Sequence, residues 1–86
     1  MDNKLEQILE TYPDVEFIKA DGFDKAVIGV DLKYYRLIYD YDLAIKTLVE
    51  DDGMTLEDAI EYFDYNVLGS LREDIDYPIF IMTNFD

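Results

Sequence analysis

The chain has 86 residues and a formal net charge of −14, from 21 acidic and 7 basic side chains, with no cysteine, histidine or tryptophan. Thiolate nucleophiles, His-based triads or general bases, and the thiolate and imidazole ligands of zinc are therefore excluded. Half of the residues are apolar and 15% are aromatic, whereas disorder requires high charge together with low hydrophobicity, so the composition predicts one compact acidic domain over 1–86.

Over 2–12, Leu5, Ile8, Leu9 and Tyr12 recur at i, i+3, i+4, i+7, the spacing of a helix with one apolar face. Asp2 or Asn3 can cap it, and Pro13 ends it near Thr11 or Tyr12. Three strands are expected near 15–20, 26–31 and 34–40, with Asp21-Gly22 as a hairpin turn between the first two. In the third, Tyr35, Leu37 and Tyr39 alternate with Tyr34, Arg36 and Ile38. The link at 31–33 is either a tight turn or a bulge in one long strand. A helix capped by Asp40 or Asp42 follows, with Leu43, Ile45, Leu48 and Val49 as its apolar contacts and a stop at Asp51-Asp52-Gly53. Thr55 opens another, with Asp58 in the position of a loose capping box. Leu56, Ala59, Ile60, Phe63 and Val67 form its apolar stripe, and Asn66 or Gly69 can close it in the left-handed conformation. After a polar loop over 72–77, Pro78 starts a last strand over 78–82. The order α-β-β(-β)-α-α-β predicts an α+β fold, a small and mainly antiparallel sheet of three to four strands with helices on one face.

Charge is unevenly placed. Residues 1–39 carry eight acids and five bases, whereas 40–86 carry thirteen acids and two bases, Lys46 and Arg72. Such a surface repels phosphate, so direct nucleic-acid binding and anionic membranes are disfavoured. No run approaches the roughly 20 apolar residues of a spanning helix, and MDNKLEQILE lacks the basic region and apolar core of a signal peptide. The expectation is a cytoplasmic protein.

The second amphipathic helix sets Glu57, Glu61 and Asp64 at i, i+4, i+7, beside Asp58 and away from the apolar stripe. At about 1.5 Å per residue, three carboxylates span roughly 10 Å, a density near that of the phosphates along one DNA strand. Glu50, Asp51, Asp52, Glu73, Asp74 and Asp76 add acids to the same half of the chain. Glu50, Asp51, Asp52, Glu57, Asp58, Glu61 and Asp64 are therefore the candidate partner-binding residues, aimed at a basic surface of a nucleic-acid-handling protein. The competing reading is a solvated helix face.

Eight tyrosines accompany the acids. Tyrosine gives large contact area at low entropic cost, and Tyr34, Arg36 and Tyr39 are the candidates for an oligomer surface that forms a homodimer. Asp51-Asp52-Gly53 and Asp21-Gly22-Phe23-Asp24 lack the alternating pattern and final glutamate of a calcium loop, so neither a metal nor a cofactor is expected. A phosphate site for a small nucleotide would have to draw on Lys19, Lys25, Lys33, Arg36 and Lys46. Paired carboxylates at exposed positions in so short a chain leave little room for a glycosidase pocket, and the expectation is a non-enzyme.

DGFDKAVIGV (21–30), RLIYD (36–40), DGMTLEDAIEYFDYNVLG (52–69) and PIF (78–80) resemble a family of small, largely uncharacterised proteins of bacterial viruses and bacterial genomes. The match covers about 21–80, and its most specific piece is G-M-T-x-E-D-A-x-E-Y-F-x-x-N-x-x-G. The resemblance carries no catalytic residues. It implies a viral or mobile-element origin, a class that includes anti-CRISPR proteins and DNA mimics. Together these readings lead to a non-enzymatic inhibitor of a basic host-defence protein. The alternative is a structural or assembly module that self-associates through a tyrosine-rich sheet.

Overall fold

The computed structural model describes residues 4–70 and 78–85. In chain order they form helix α1 (Lys4–Thr11), a 3-10 turn (Asp24–Ala26), strands β1 (Val27–Val30) and β2 (Leu37–Asp40), helices α2 (Tyr41–Asp52) and α3 (Leu56–Tyr62), and strand β3 (Ile79–Ile81). This is the expected small α+β fold. The capping of α1 by Asp2 or Asn3, and the loop over 72–77 with Glu73, Asp74 and Asp76, lie outside the described residues.

The sheet has three strands in the order β1-β2-β3. Six residues join β1 to β2, which pair antiparallel with Val30 opposite Leu37. Two helices separate β2 from β3, and a strand that returns after a helical crossover comes back parallel. Ile38 thus pairs with Ile79 and Tyr39 with Phe80, making the sheet mixed. Alternation along β2 sends Leu37 and Tyr39 into the core and leaves Ile38 half-buried. Around these two pack Leu5 and Ile8 of α1, Phe23 and Ala26, Val27, Ala44, Ile45 and Leu48 of α2, Ala59 of α3, and Phe63.

Both helix caps downstream of the sheet form as the residues suggest. Asp40 Oδ2 accepts from the Leu43 amide at 3.0 Å, and Thr55 Oγ1 accepts from the Asp58 amide at 3.1 Å. Gly53 closes α2 at φ +71°, a left-handed conformation that glycine adopts without a Cβ penalty.

Five expectations are corrected. Residues 15–20 form no strand: Phe17 and Ala20 pack partly against the core, and the Ala20 amide donates to the Tyr39 hydroxyl at 2.9 Å instead of to a neighbouring strand. Gly22 does make a turn, at φ +88°, but it feeds the 3-10 turn that buries Phe23 and Ala26 rather than a hairpin. The strand expected over 34–40 begins only at Leu37. Before it, the Asp31 carboxylate accepts from the Lys33 and Tyr34 amides, each at 3.2 Å, an Asx-type arrangement. Tyr35 then takes φ +56°, and its ring meets Tyr12 edge-on at 5.4 Å. A turn, not a bulge, therefore links β1 to β2.

The remaining two corrections concern the end and the face of α3. Neither Asn66 nor Gly69 is left-handed. The helix instead runs into a π turn (Phe63–Val67) and a 3-10 turn (Leu68–Ser70). The Leu68 amide donates to both Phe63 and Asp64 carbonyls, Phe63 is fully enclosed, and Val67 rests partly on the core. The apolar stripe also divides: Ala59 and Phe63 are buried, but Leu56 is 60% exposed and Ile60 lies at the surface as well.

Two outcomes test this packing. Burial, then the nearby Asp24 and Asp21 charges, push the Tyr39 phenol above its ordinary value, against the bond from the Ala20 amide. Stability held by its proton is complete at neutral pH and is lost as pH rises through the folded-state value. In an alkaline titration Tyr39 should ionise only as the chain unfolds. Tyr39→Phe should remove that step at a cost of about 1 kcal/mol. Asp40 is buried, and its second oxygen accepts from Thr83 Oγ1 at 2.6 Å. Asp40→Ala should therefore lower urea-unfolding stability by about 1–2 kcal/mol through the lost cap alone. A double-mutant cycle with Thr83→Val should show coupling between the two side chains.

Candidate functional site

Glu50, Asp51, Asp52, Glu57, Asp58, Glu61 and Asp64 all lie exposed. The fold gives two of them bases that are not sequence neighbours or that sit one turn away. Lys25 Nζ reaches Asp51 at 3.1 Å, and Lys46 Nζ reaches Glu50 at 3.9 Å. Asp52, Glu57, Asp58, Glu61 and Asp64 meet no base among the described residues.

Thr55 anchors the start of α3, while Ala59 and Phe63 turn inward. Asp58, Glu61 and Asp64 then share an open concavity of about 610 Å³ with Tyr62, Tyr65 and Asn66. Glu57 does not line it, so the carboxylate trio differs by one member from that expected on spacing. Tyr65 is 83% exposed and Tyr62 is also at the surface. These two tyrosines, together with Asn66, were not among the candidate partner-binding residues. Their signal was present, since Tyr62 and Tyr65 stand at i+4 and i+7 from Asp58.

Carboxylates beside exposed phenol rings suit ammonium and guanidinium groups. The acids offer charge-assisted hydrogen bonds, strongest with a bidentate guanidinium, and the ring faces attract cations within about 6 Å. A neighbouring detail ties this surface to α2. Tyr41 and Asp64 line one hollow with Phe63, and burial, followed by the Asp64 and Asp42 charges, raises the Tyr41 phenol above its ordinary value.

The residues proposed for an oligomer surface separate. Tyr39 is completely buried, stacked on Phe80 at 5.0 Å, and is corrected from surface to core. Tyr34 is 42% exposed in the β1–β2 turn, with the Arg36 guanidinium 5.2 Å and the Lys33 ammonium 5.3 Å from its ring centre. Arg36 also meets the Asp31 carboxylate at 3.3 Å. The Lys33 amide above all, then the Tyr34 amide and Arg36, hold the Asp31 carboxyl below its ordinary value. The accessible tyrosines of this region thus belong to a turn rather than to the sheet.

Among the described residues, no group of three or more carboxylates is placed to hold a metal ion, and no helix is long and apolar enough to cross a membrane. Of the lysines and arginine considered for a phosphate site, Lys25, Arg36 and Lys46 are each engaged by a carboxylate. No protein-family model, curated protein or solved structure matches the chain.

Like charges at i, i+4 on a helix destabilise it by about 0.2–0.5 kcal/mol per pair, and Glu61 stands at i+4 from Glu57 and i+3 from Asp58. Glu61→Lys should therefore raise thermal stability by roughly 0.5 kcal/mol, measured by calorimetry at low salt. The gain should shrink as salt screens the charges.

Proposed function

We propose that the chain is a non-enzymatic, protein-binding inhibitor whose acidic surface engages the basic, nucleic-acid-binding face of a host-defence protein. A CRISPR–Cas-like effector is the most concrete example, and the bacterial cytoplasm is the setting. The observation that carries this reading is the concavity in which Asp58, Glu61 and Asp64 stand beside Tyr62 and Tyr65, with no base among the described residues to neutralise the three acids. A surface designed only for solubility mixes signs. Here the chain carries −14, and self-repulsion of that kind weakens a compact state unless something else is gained. Attraction to a positive partner is such a gain, through fast, steered association.

Occupation of the site that nucleic-acid phosphates would take is sufficient for inhibition, so no reacting group is required of this chain.

The test is capture from a bacterial lysate at low salt with elution by a salt gradient, comparing the native chain with Glu57→Lys/Glu61→Lys/Asp64→Lys. A nucleic-acid-binding protein should be retained, elute as salt rises, and be lost with the variant while the variant's melting transition persists. Retention unchanged by the three lysines would refute this surface.

The assembly alternative draws on one observation, the exposure of Leu32, Tyr34 and Tyr35 together in the β1–β2 turn. It requires sedimentation that depends on concentration and that Tyr34→Asp abolishes.

A further inference from the structure

The half of the α3 stripe that the core leaves uncovered does not stand alone. Leu56 and Ile60 face Ile45 and Val49 of α2 across an open groove of about 450 Å³, with Tyr41 at the start of α2 also lining it. Asp42 and Glu50 stand on its α2 side, and Lys46, the one base there, lies 3.9 Å from Glu50. Beyond the groove's Tyr41 end, Asp64 shares a second hollow with Tyr41 and Phe63.

We propose that this groove seats an amphipathic, basic helix of a partner protein. The proposal rests on the reading that the chain engages a basic protein, and adds which structural element of that protein docks and where. Shape supports it: Tyr41, Ile45 and Val49 follow at i, i+4, i+8, which is about 12 Å along a helix axis. That length matches two turns of a partner presenting apolar residues at i, i+3 or i+4, and i+7, the usual reading of a helix in a groove. Charge sets the sign of the flanks. Carboxylates at Asp42 and Glu50 favour Lys and Arg beside the partner's apolar stripe and penalise acids there.

The same charge pattern argues against a second copy. α1 carries Lys4 against Glu6 and Glu10, α2 carries Lys46 against Asp42, Glu50, Asp51 and Asp52, and α3 carries no base. No helix of this chain among the described residues presents a basic face, so the occupant comes from another protein. The groove and the acidic concavity both draw on α3 but use different side chains, Leu56 and Ile60 in one, Asp58, Glu61, Tyr62 and Tyr65 in the other.

The experiment is an amide-resolved NMR titration of the intact chain with two synthetic peptides of identical composition, each about four helical turns long. One places leucines at i, i+3, i+4, i+7 between lysines and arginines; the other scrambles them so that no stripe forms. The striped peptide should bind at least about tenfold more tightly, a difference of about 1.4 kcal/mol, and should shift Val49, Leu56 and Ile60. Leu56→Ser/Ile60→Ser should erase that preference with the melting transition retained, and Asp42→Lys/Glu50→Lys should weaken the striped peptide by a similar factor.

Equal binding of the two peptides, indifferent to Leu56→Ser/Ile60→Ser, would overturn the groove while leaving acidic recognition standing. Binding of neither at low salt would overturn the groove and the acidic recognition beneath it. Self-association of the free chain that Leu56→Ser/Ile60→Ser abolishes would assign the groove to a second copy and overturn the proposal.

Discussion

The ring of Phe63 is the point on which the architecture turns. It meets Phe80 of β3 at 5.0 Å, Tyr41 of α2 at 5.2 Å and Phe23 at 5.9 Å, each nearly perpendicular. Edge-to-face pairs of this kind contribute about 0.5–1.5 kcal/mol beyond the area they bury, and here they join segments that the sequence separates by many residues. Phe80 extends the junction to Tyr39 by stacking, so both long-range strand pairing and the seating of the last helix depend on one aromatic assembly. The departure from α to π geometry begins at Phe63, where enclosing the ring takes precedence over regular backbone bonding.

That assembly also explains what is left outside. With Ala59 and Phe63 filling the inward sector of α3, Leu56 and Ile60 are directed toward α2 and solvent. A chain this small encloses a limited core, and part of its apolar surplus, Leu56 and Ile60, lines the groove against α2. Asp42 and Glu50 of α2 border that groove, and the α3 acids lie on the neighbouring concavity. An acidic surface with apolar and phenolic patches differs physically from a merely solubilising one, because desolvation and charge attraction can act on the same partner.

Much of the fold was legible because local chemistry and tertiary packing agreed. Pro13 ended α1, Asp40 and Thr55 capped the two later helices, and Gly53 closed α2. The misreadings share a cause: in each, a distant group competed with a local preference. Residues 15–20 have strand-like composition, yet the Tyr39 hydroxyl takes the Ala20 amide. Gly69 is suited to a left-handed stop, yet packing at Phe63 and Val67 carries the helix past it. Tyr39 looked like its exposed neighbours in composition, and its ring is covered by Phe80, which lies 41 positions further along the chain. For the candidate site, helical spacing identified the acids, but the concavity they share with Tyr62 and Tyr65, and the claim of Lys25 on Asp51, required three dimensions.

The bond between Thr83 and Asp40 spans 43 positions and lies beside the parallel pairing of β2 with β3. During synthesis the chain emerges in order at about 5–20 residues per second, so β2 waits several seconds for its partner strand. Throughout that interval Leu37 and Tyr39 have only antiparallel β1 on one side, and the opposite edge of β2 is open. Long-range parallel pairing is intrinsically slow and leaves such edges vulnerable to association. The dense negative charge of the intervening helices opposes that association, because nascent copies repel one another until the third strand closes the sheet.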